Sequence, residues 1–199
     1  MELIVVTPPD YFKGEAALIN RFFAEGLNLL HIRKPINDQE KFRKLIMEID
    51  AKYYPRISIH QHHELAGEFS LERLHFTEQQ RKALPVADFP DLAARGFHLS
   101  SSVHDPGAID EPAGLDYVFF GPVFNSISKK DYDSVLDEEF ILAPHRTKVF
   151  AIGGVSAGRL QKLQQMNFDG AAVLGSLWHQ TASPLEELKN LMKAINEIR

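Results

Sequence analysis

Short apolar runs recur along the chain, and each gives way to a polar or amphipathic stretch. Eight runs stand at Leu3–Val6, Asn28–Arg33, Arg56–His60, Arg73–Phe76, Gly96–Ser100, Asp116–Gly121, Lys148–Ile152 and Gly170–Leu174. They are rich in Val, Ile, Leu and Phe. Continuous runs of this length suit strands buried on both faces, as parallel sheets require. The intervening segments carry helical periodicity. Glu15–Glu25 places Ala16, Ile19, Phe22 and Phe23 on one face, and Gln39–Ile49 does the same with Phe42, Leu45, Ile46 and Ile49. Arg159–Met166 and Leu185–Ile198 also read as helices, with Ser156 and Ser183 at N-cap positions and Pro184 at the first helical position after Ser183.

Strands alternating with helices mean βαβ units. Eight of them in 199 residues predict an α/β fold of the (β/α)8 TIM-barrel type, in one compact domain. The weak units are the third to fifth, where Thr77–Arg95 is interrupted by charge and Pro and Asp105–Ala113 is barely a helical turn. An open doubly wound sheet is the alternative.

Composition changes the picture mainly by exclusion. The chain is 44% hydrophobic and 25% charged, ordinary for a globular protein, and has no Cys. Disulfides, thiol nucleophiles, zinc–thiolate sites and iron–sulfur clusters are therefore excluded. The formal charge of −5 argues against general nucleic-acid binding, which draws its affinity from phosphate neutralisation. No apolar run approaches the roughly 18 residues of a membrane span. The start, MELIVVTPPD, lacks a basic segment followed by an apolar one, so a cytoplasmic protein is expected, with no membrane partner.

In a (β/α)8 barrel the active site gathers at the C-terminal ends of the strands, which singles out the residues to read. After the second run, His31 and Arg33 share one strand face toward the barrel interior or its rim, an anion-facing arrangement that charge inside a barrel calls for. After the third, His60, His62 and His63 invite a metal reading; solvated imidazoles at a strand end are the alternative, and no metal site is expected. After the fifth, Ser100–Ser102 lead to His104, a candidate acid/base group because histidine is the side-chain type suited to proton exchange near neutral pH, or else a plain turn. After the sixth comes a long polar loop carrying Ser126, Ser128 and Lys129, suited to capturing a phosphate or carboxylate. After the seventh and eighth stand Gly153-Gly154 and Gly175-Ser176. Glycines at strand tips let backbone N–H groups approach an anion, and barrels often seat a phosphate there. The glycine spacing fits neither a P-loop nor the dinucleotide fingerprint.

Taken together and in order, these residues resemble the thiamine phosphate synthase/TenI group of small barrels, over the whole chain. The match centres on Asp116-Tyr117-Val118-Phe119-Phe120-Gly121-Pro122-Val123-Phe124, followed by Ser126, Ser128 and Lys129, where the family signature has two Thr and a Lys. Ala151-Ile152-Gly153-Gly154, Asp169–Val173 and Ser102-Val103-His104 match as well. The resemblance implies a thiazole phosphate bound at the seventh and eighth tips, and a homo-oligomer. It covers two activities. Thiamine phosphate synthase joins an aminopyrimidine diphosphate to the thiazole phosphate and releases diphosphate with Mg²⁺; TenI proteins tautomerise a carboxythiazole phosphate without a metal. The synthase pattern has acidic residues after strands three and four, where this chain reads His60-Gln61-His62 and Thr77-Glu78-Gln79-Gln80. Arg33 is kept, with Lys34 a partial substitute for a second cation, and Glu78 leaves a metal role open. The His31-Ile32-Arg33 and Ser102-Val103-His104 forms are similar to the TenI branch. The expectation is therefore a metal-independent thiazole tautomerase with no cofactor. His104 would be its general acid/base; His31, Arg33, His60, Ser102, Ser126, Ser128 and Lys129 would contact substrate; Gly153, Gly154, Gly175 and Ser176 would hold the phosphate. A Mg²⁺-dependent synthase and a non-catalytic thiazole-phosphate-binding homologue are the alternatives.

Overall fold

The computed structural model of the chain describes residues 1–111, 114–125, 139–179 and 183–198. Its eight strands are β1 (Glu2–Val6), β2 (Leu29–Ile32), β3 (Ile57–Ile59), β4 (Arg73–Phe76), β5 (His98–Val103), β6 (Tyr117–Phe120), β7 (Lys148–Ile152) and β8 (Gly170–Val173). All neighbours are parallel, and β8 returns to β1 with Val173 opposite Val5, so the sheet closes in sequence order. Closure selects the (β/α)8 barrel over the open sheet.

The helices are α1 (Glu15–Ala24), α2 (Gln39–Glu48), α3 (Leu65–Phe69), α4 (Glu78–Ala83), α5 (Asp88–Ala94), α6 (Leu160–Gln165), α7 (Gly175–Trp178) and α8 (Pro184–Glu197). Their ends are chemically marked. Asp38 caps α2 by accepting from the Lys41 amide at 3.0 Å. Thr77 and Gln80 form a reciprocal capping box on α4. Ser183 accepts from the Glu186 amide at 3.4 Å, with Pro184 next to it. Ser156 makes no such bond, because a 3-10 turn at Ala157–Arg159 precedes α6. The short third to fifth units are as the sequence suggests: α3 is five residues long, and only a 3-10 turn at Pro106–Ala108 is described between β5 and β6.

Alternation along each strand builds two cores. Outward residues such as Val5, Leu30, Ile32 and Val149 pack under Ile19, Phe22, Phe42, Ile46 and Leu188 of the helices. Inward residues Ile4, Val6, Tyr117, Phe119, Phe150 and Ala172 fill the barrel. The fifth strand corrects the expected boundary. It runs to Val103 rather than stopping at Ser100, and Ser100 and Ser102 face inward onto His75. A polar Ser run reads as a loop only when the interior it faces is assumed apolar. Among the described residues, no helix is long and apolar enough to cross a membrane.

Candidate active site

The tips of β7 and β8 bear the glycines. Gly153 and Gly154 both have positive φ, 95° and 65°, which favours glycine. A Cβ on Gly154 would lie 2.6 Å from the Asn125 carbonyl oxygen, and one on Gly153 would lie 2.8 Å from Pro122. The segment after β6 therefore lies directly over this tip. It is tied there by Val123 N–H donating to the Ile152 carbonyl at 3.0 Å and Phe124 N–H donating to the Gly153 carbonyl at 3.1 Å. Arg159 locks the same corner, donating to the Gly154 carbonyl at 2.7 Å and lying over the Phe124 ring. On the neighbouring tip, Gly175 and Ser176 open α7. Ser176 is buried, and its hydroxyl has no hydrogen-bond partner among the described residues. A buried, unspent hydroxyl next to a glycine tip is a donor in want of an acceptor.

The opposite side of the interior is built from imidazoles. His31, His60 and His75 come from β2, the end of β3 and β4, and all three are buried. His31 Nδ1 lies 2.9 Å from His60 Nε2, and His31 Nε2 lies 2.7 Å from the Tyr117 hydroxyl. His75 spans Ser100 and Ser102, with Nδ1 2.9 Å and Nε2 3.1 Å from their hydroxyls. His60 and His75 stack with centroids 4.0 Å apart, and Phe119 covers His31 and His75 at 4.7 and 4.8 Å. Burial pushes all three rings below the ordinary imidazole value; His75 falls to about 3, with positive charge from His63 and Arg33 adding to the effect. They are neutral bases. One ligand atom from each lies within 4.8 Å of the others, so the three could coordinate a metal ion.

This grouping differs from the His60–His63 cluster that adjacency suggests. His62 takes a left-handed conformation and turns its ring onto Phe42. His63 faces the carbonyls of Ile59 and His75, at 3.2 and 3.1 Å. Only His60 enters the barrel. His75 was missed in the sequence because a lone His between Leu74 and Phe76 looks like an isolated core residue. The signal was there: His31, His60 and His75 each have inward parity on consecutive strands.

The remaining tip residues are mostly committed. Lys34 is not available as a ligand cation. Its ammonium is fully buried, 2.6 Å from Glu15 Oε1 and bonded to the carbonyls of Pro8 and Asp10 at 2.8 and 3.0 Å. Arg33 is exposed at the mouth, its backbone held by Thr7. His104 lies beyond the end of β5, exposed, with Nδ1 2.7 Å from Glu78 Oε2. Glu78 is also bound by Lys82 at 3.0 Å; that bond holds its carboxyl below the usual range, with His104 contributing. Gln61 accepts from the Lys34 amide at 3.2 Å and donates back to the Lys34 carbonyl. Gln80 Oε1 accepts from the Thr77 amide at 2.8 Å. Ser126, Ser128 and Lys129 lie outside the described residues.

The family model for thiamine monophosphate synthase matches residues 3–177. The chain belongs to the thiamine monophosphate synthase family. A thiamine-phosphate synthase of Desulfitobacterium hafniense (strain Y51) is 26% identical over 197 residues, covering 95% of this chain and 91% of that protein. The crystal structure of thiamine phosphate pyrophosphorylase from Bacteroides thetaiotaomicron is similar with a TM-score of 0.77 and 27% identity, over 100% of both chains. The thiamine phosphate pyrophosphorylase of Pyrococcus furiosus, at 17% identity and a TM-score of 0.76, shares the fold. These relatives correct the expected activity. They carry the synthase name, where the His31-Ile32-Arg33 and His104 motifs had suggested the TenI branch and a tautomerase. Both motifs rest on few residues. The resemblance gives the glycine tips and the β6 signature to both branches, so they do not separate them.

Proposed function

We propose that this chain acts on a thiazole phosphate at the barrel mouth as a thiamine-phosphate synthase. The observation that carries this is the end-to-end similarity to relatives of that name, over 95% of the chain in one case and 100% in another. The reaction joins two small molecules. The thiazole nitrogen forms a bond to the methylene carbon of a pyrimidine diphosphate, the carbon–oxygen bond to diphosphate breaks, and diphosphate leaves with that electron pair. This chain's part is to anchor and orient. Backbone N–H groups at Gly153-Gly154 and Gly175-Ser176, with the Ser176 hydroxyl, would take the thiazole phosphate. Fixing that end aims the ring nitrogen across the mouth, where positioning lowers the barrier. Arg33, exposed at the mouth, would meet the departing diphosphate charge.

Magnesium, which the family resemblance implies, does not fit the residues present. It takes hard oxygen ligands, carboxylates above all. The tips of β3 and β4 offer the amides of Gln61 and Gln80, both spent on backbone groups, and Glu78 is neutralised by Lys82 and His104. The same observation favours a second reading, a homologue that binds thiazole phosphate without turnover. One experiment separates them: the chain is incubated with thiazole phosphate and hydroxymethylpyrimidine diphosphate, with and without millimolar Mg²⁺, while thiamine phosphate and diphosphate are followed. Equimolar appearance of both products supports the synthase. No product from a chain that still binds thiazole phosphate leaves the non-catalytic reading.

A further inference from the structure

We propose that His31, His60 and His75 form a three-imidazole site for a borderline divalent transition metal of the zinc class, inside the barrel and separate from any magnesium. The proposal does not rest on the coupling reaction. It rests on donor chemistry and on how the rings are held.

All three donors are neutral nitrogens, the ligand type that suits Zn²⁺, Co²⁺ and Ni²⁺ and that Mg²⁺ avoids. They project from neighbouring strands, which fix them more tightly than loops would. Their ligand atoms already lie within 4.8 Å of one another. Zinc–imidazole bonds of about 2.0–2.1 Å separate two tetrahedral ligand atoms by roughly 3.3 Å. The His31–His60 contact of 2.9 Å would open by a few tenths of an ångström, and the third ring would close in.

For His31 and His75 the outer contacts are those that metal-bound histidines require. A ligating imidazole presents one nitrogen to the ion and donates the other N–H to a fixed oxygen. Ser100 Oγ lies 3.5 Å from the Leu74 carbonyl, so its hydroxyl proton points there and its oxygen accepts from His75 Nδ1–H. That leaves His75 Nε2 with a lone pair, which now faces the Ser102 hydroxyl. His31 has the same pattern, with Nε2–H toward the Tyr117 oxygen and Nδ1 toward His60. In the metal-free protein, His60 Nε2–H donates to His31 Nδ1; an incoming ion would take the Nε2 lone pair as that proton leaves and the ring carries its N–H at Nδ1 instead. Ser102, half-buried at the mouth end of the triad, marks the side from which the ion and a fourth ligand would come.

The test uses the whole chain, stripped of metal and titrated with Co²⁺ and Zn²⁺. The expected result is one ion per chain, a visible Co²⁺ ligand-field band, and X-ray absorption of the zinc form showing three imidazoles at about 2.0–2.1 Å. His75→Gln and His60→Asn should each abolish the band at stoichiometric metal. Tyr117→Phe, which removes only an orienting partner, should weaken binding about 10–100-fold. His98→Gln, at the far end of the barrel beside Asp116, should leave the band intact. The absorption measurement on wild-type protein decides the matter even if a variant fails to fold. Fewer than three imidazoles, no saturable binding, or a band that persists in folded His75→Gln would overturn the proposal.

Discussion

The two sides of the barrel interior are furnished in opposite ways. On β2 to β6 the polar inward residues His31, His60, His75, Ser100, Ser102 and Tyr117 are joined by hydrogen bonds, with the Phe119 ring laid over His31 and His75. On β7, β8 and β1 the inward residues are Phe150, Gly170, Ala172, Ile4 and Val6, with glycine at the tips. Gly170 has no side chain because the Phe150 ring occupies that space. One side presents directed lone pairs; the other is apolar below and offers backbone N–H groups above. The first suits a cation or a polar heterocycle, the second a phosphate. A (β/α)8 scaffold can hold both because each strand contributes its inward residues independently of its neighbours.

The largest expected effect breaks the boundary between these sides. Lys34 looks in the sequence like part of a polar mouth, but it is buried on Glu15. Lys34→Met should destabilise the protein by about 3–5 kcal/mol, because it leaves a buried carboxylate uncompensated. Urea denaturation measures this; a loss below 1 kcal/mol would mean that the ammonium is free for ligand after all.

The imidazole side should be acid-sensitive in metal-free protein. His75 is neutral in the fold down to about pH 3, whereas in the unfolded chain it takes a proton below about 6.5. Its contribution to stability is thus full above pH 6.5 and is lost progressively toward pH 3. The loss is about 1.4 kcal/mol per pH unit for such a group, or about 2 kcal/mol by pH 5. His31 and His60, which also face Arg73 and Arg33, shift in the same direction. Thermal melts of wild type and His75→Gln between pH 5 and 8 should show a shallower slope for the variant; parallel slopes would place the acid sensitivity elsewhere.

On the glycine side, Gly154→Val forces a branched residue into positive φ and against the Asn125 carbonyl. The expected cost is about 1–3 kcal/mol, with loss of thiazole-phosphate binding, measured by melting with and without ligand. The smallest effect belongs to His104. Its contact with Glu78 is exposed, and such pairs contribute at most about 1 kcal/mol. His104→Ala should shift the melting midpoint by no more than a few degrees. A large drop would mean that the Glu78 cluster carries more of the fold than its exposure suggests.

Most of the barrel was legible in the sequence because a doubly buried strand leaves a continuous apolar run, and Leu3–Val6 or Lys148–Ile152 cannot be mistaken for anything else. The glycine tips were legible for a related reason, since Gly153-Gly154 ends such a run. The polar interior was not. Ser102 looked like a turn beyond the strand because its partner, His75, is 27 residues away and sits in an otherwise apolar strand. Lys34 looked like a cation of the mouth, because nothing in its 19-residue separation from Glu15 signals that the two meet in the core. Non-local pairing of polar groups hides their burial, whereas apolar burial declares itself locally.

The phosphate seat on the glycine side is tested most directly by calorimetric titration of the wild-type chain with thiazole phosphate and with the same thiazole lacking its phosphate. The seat at Gly153-Gly154 and Gly175-Ser176 predicts one site per chain, with the phosphorylated ligand bound at least about tenfold more tightly, a difference of about 1.4 kcal/mol. Equal affinities for the two ligands would contradict it.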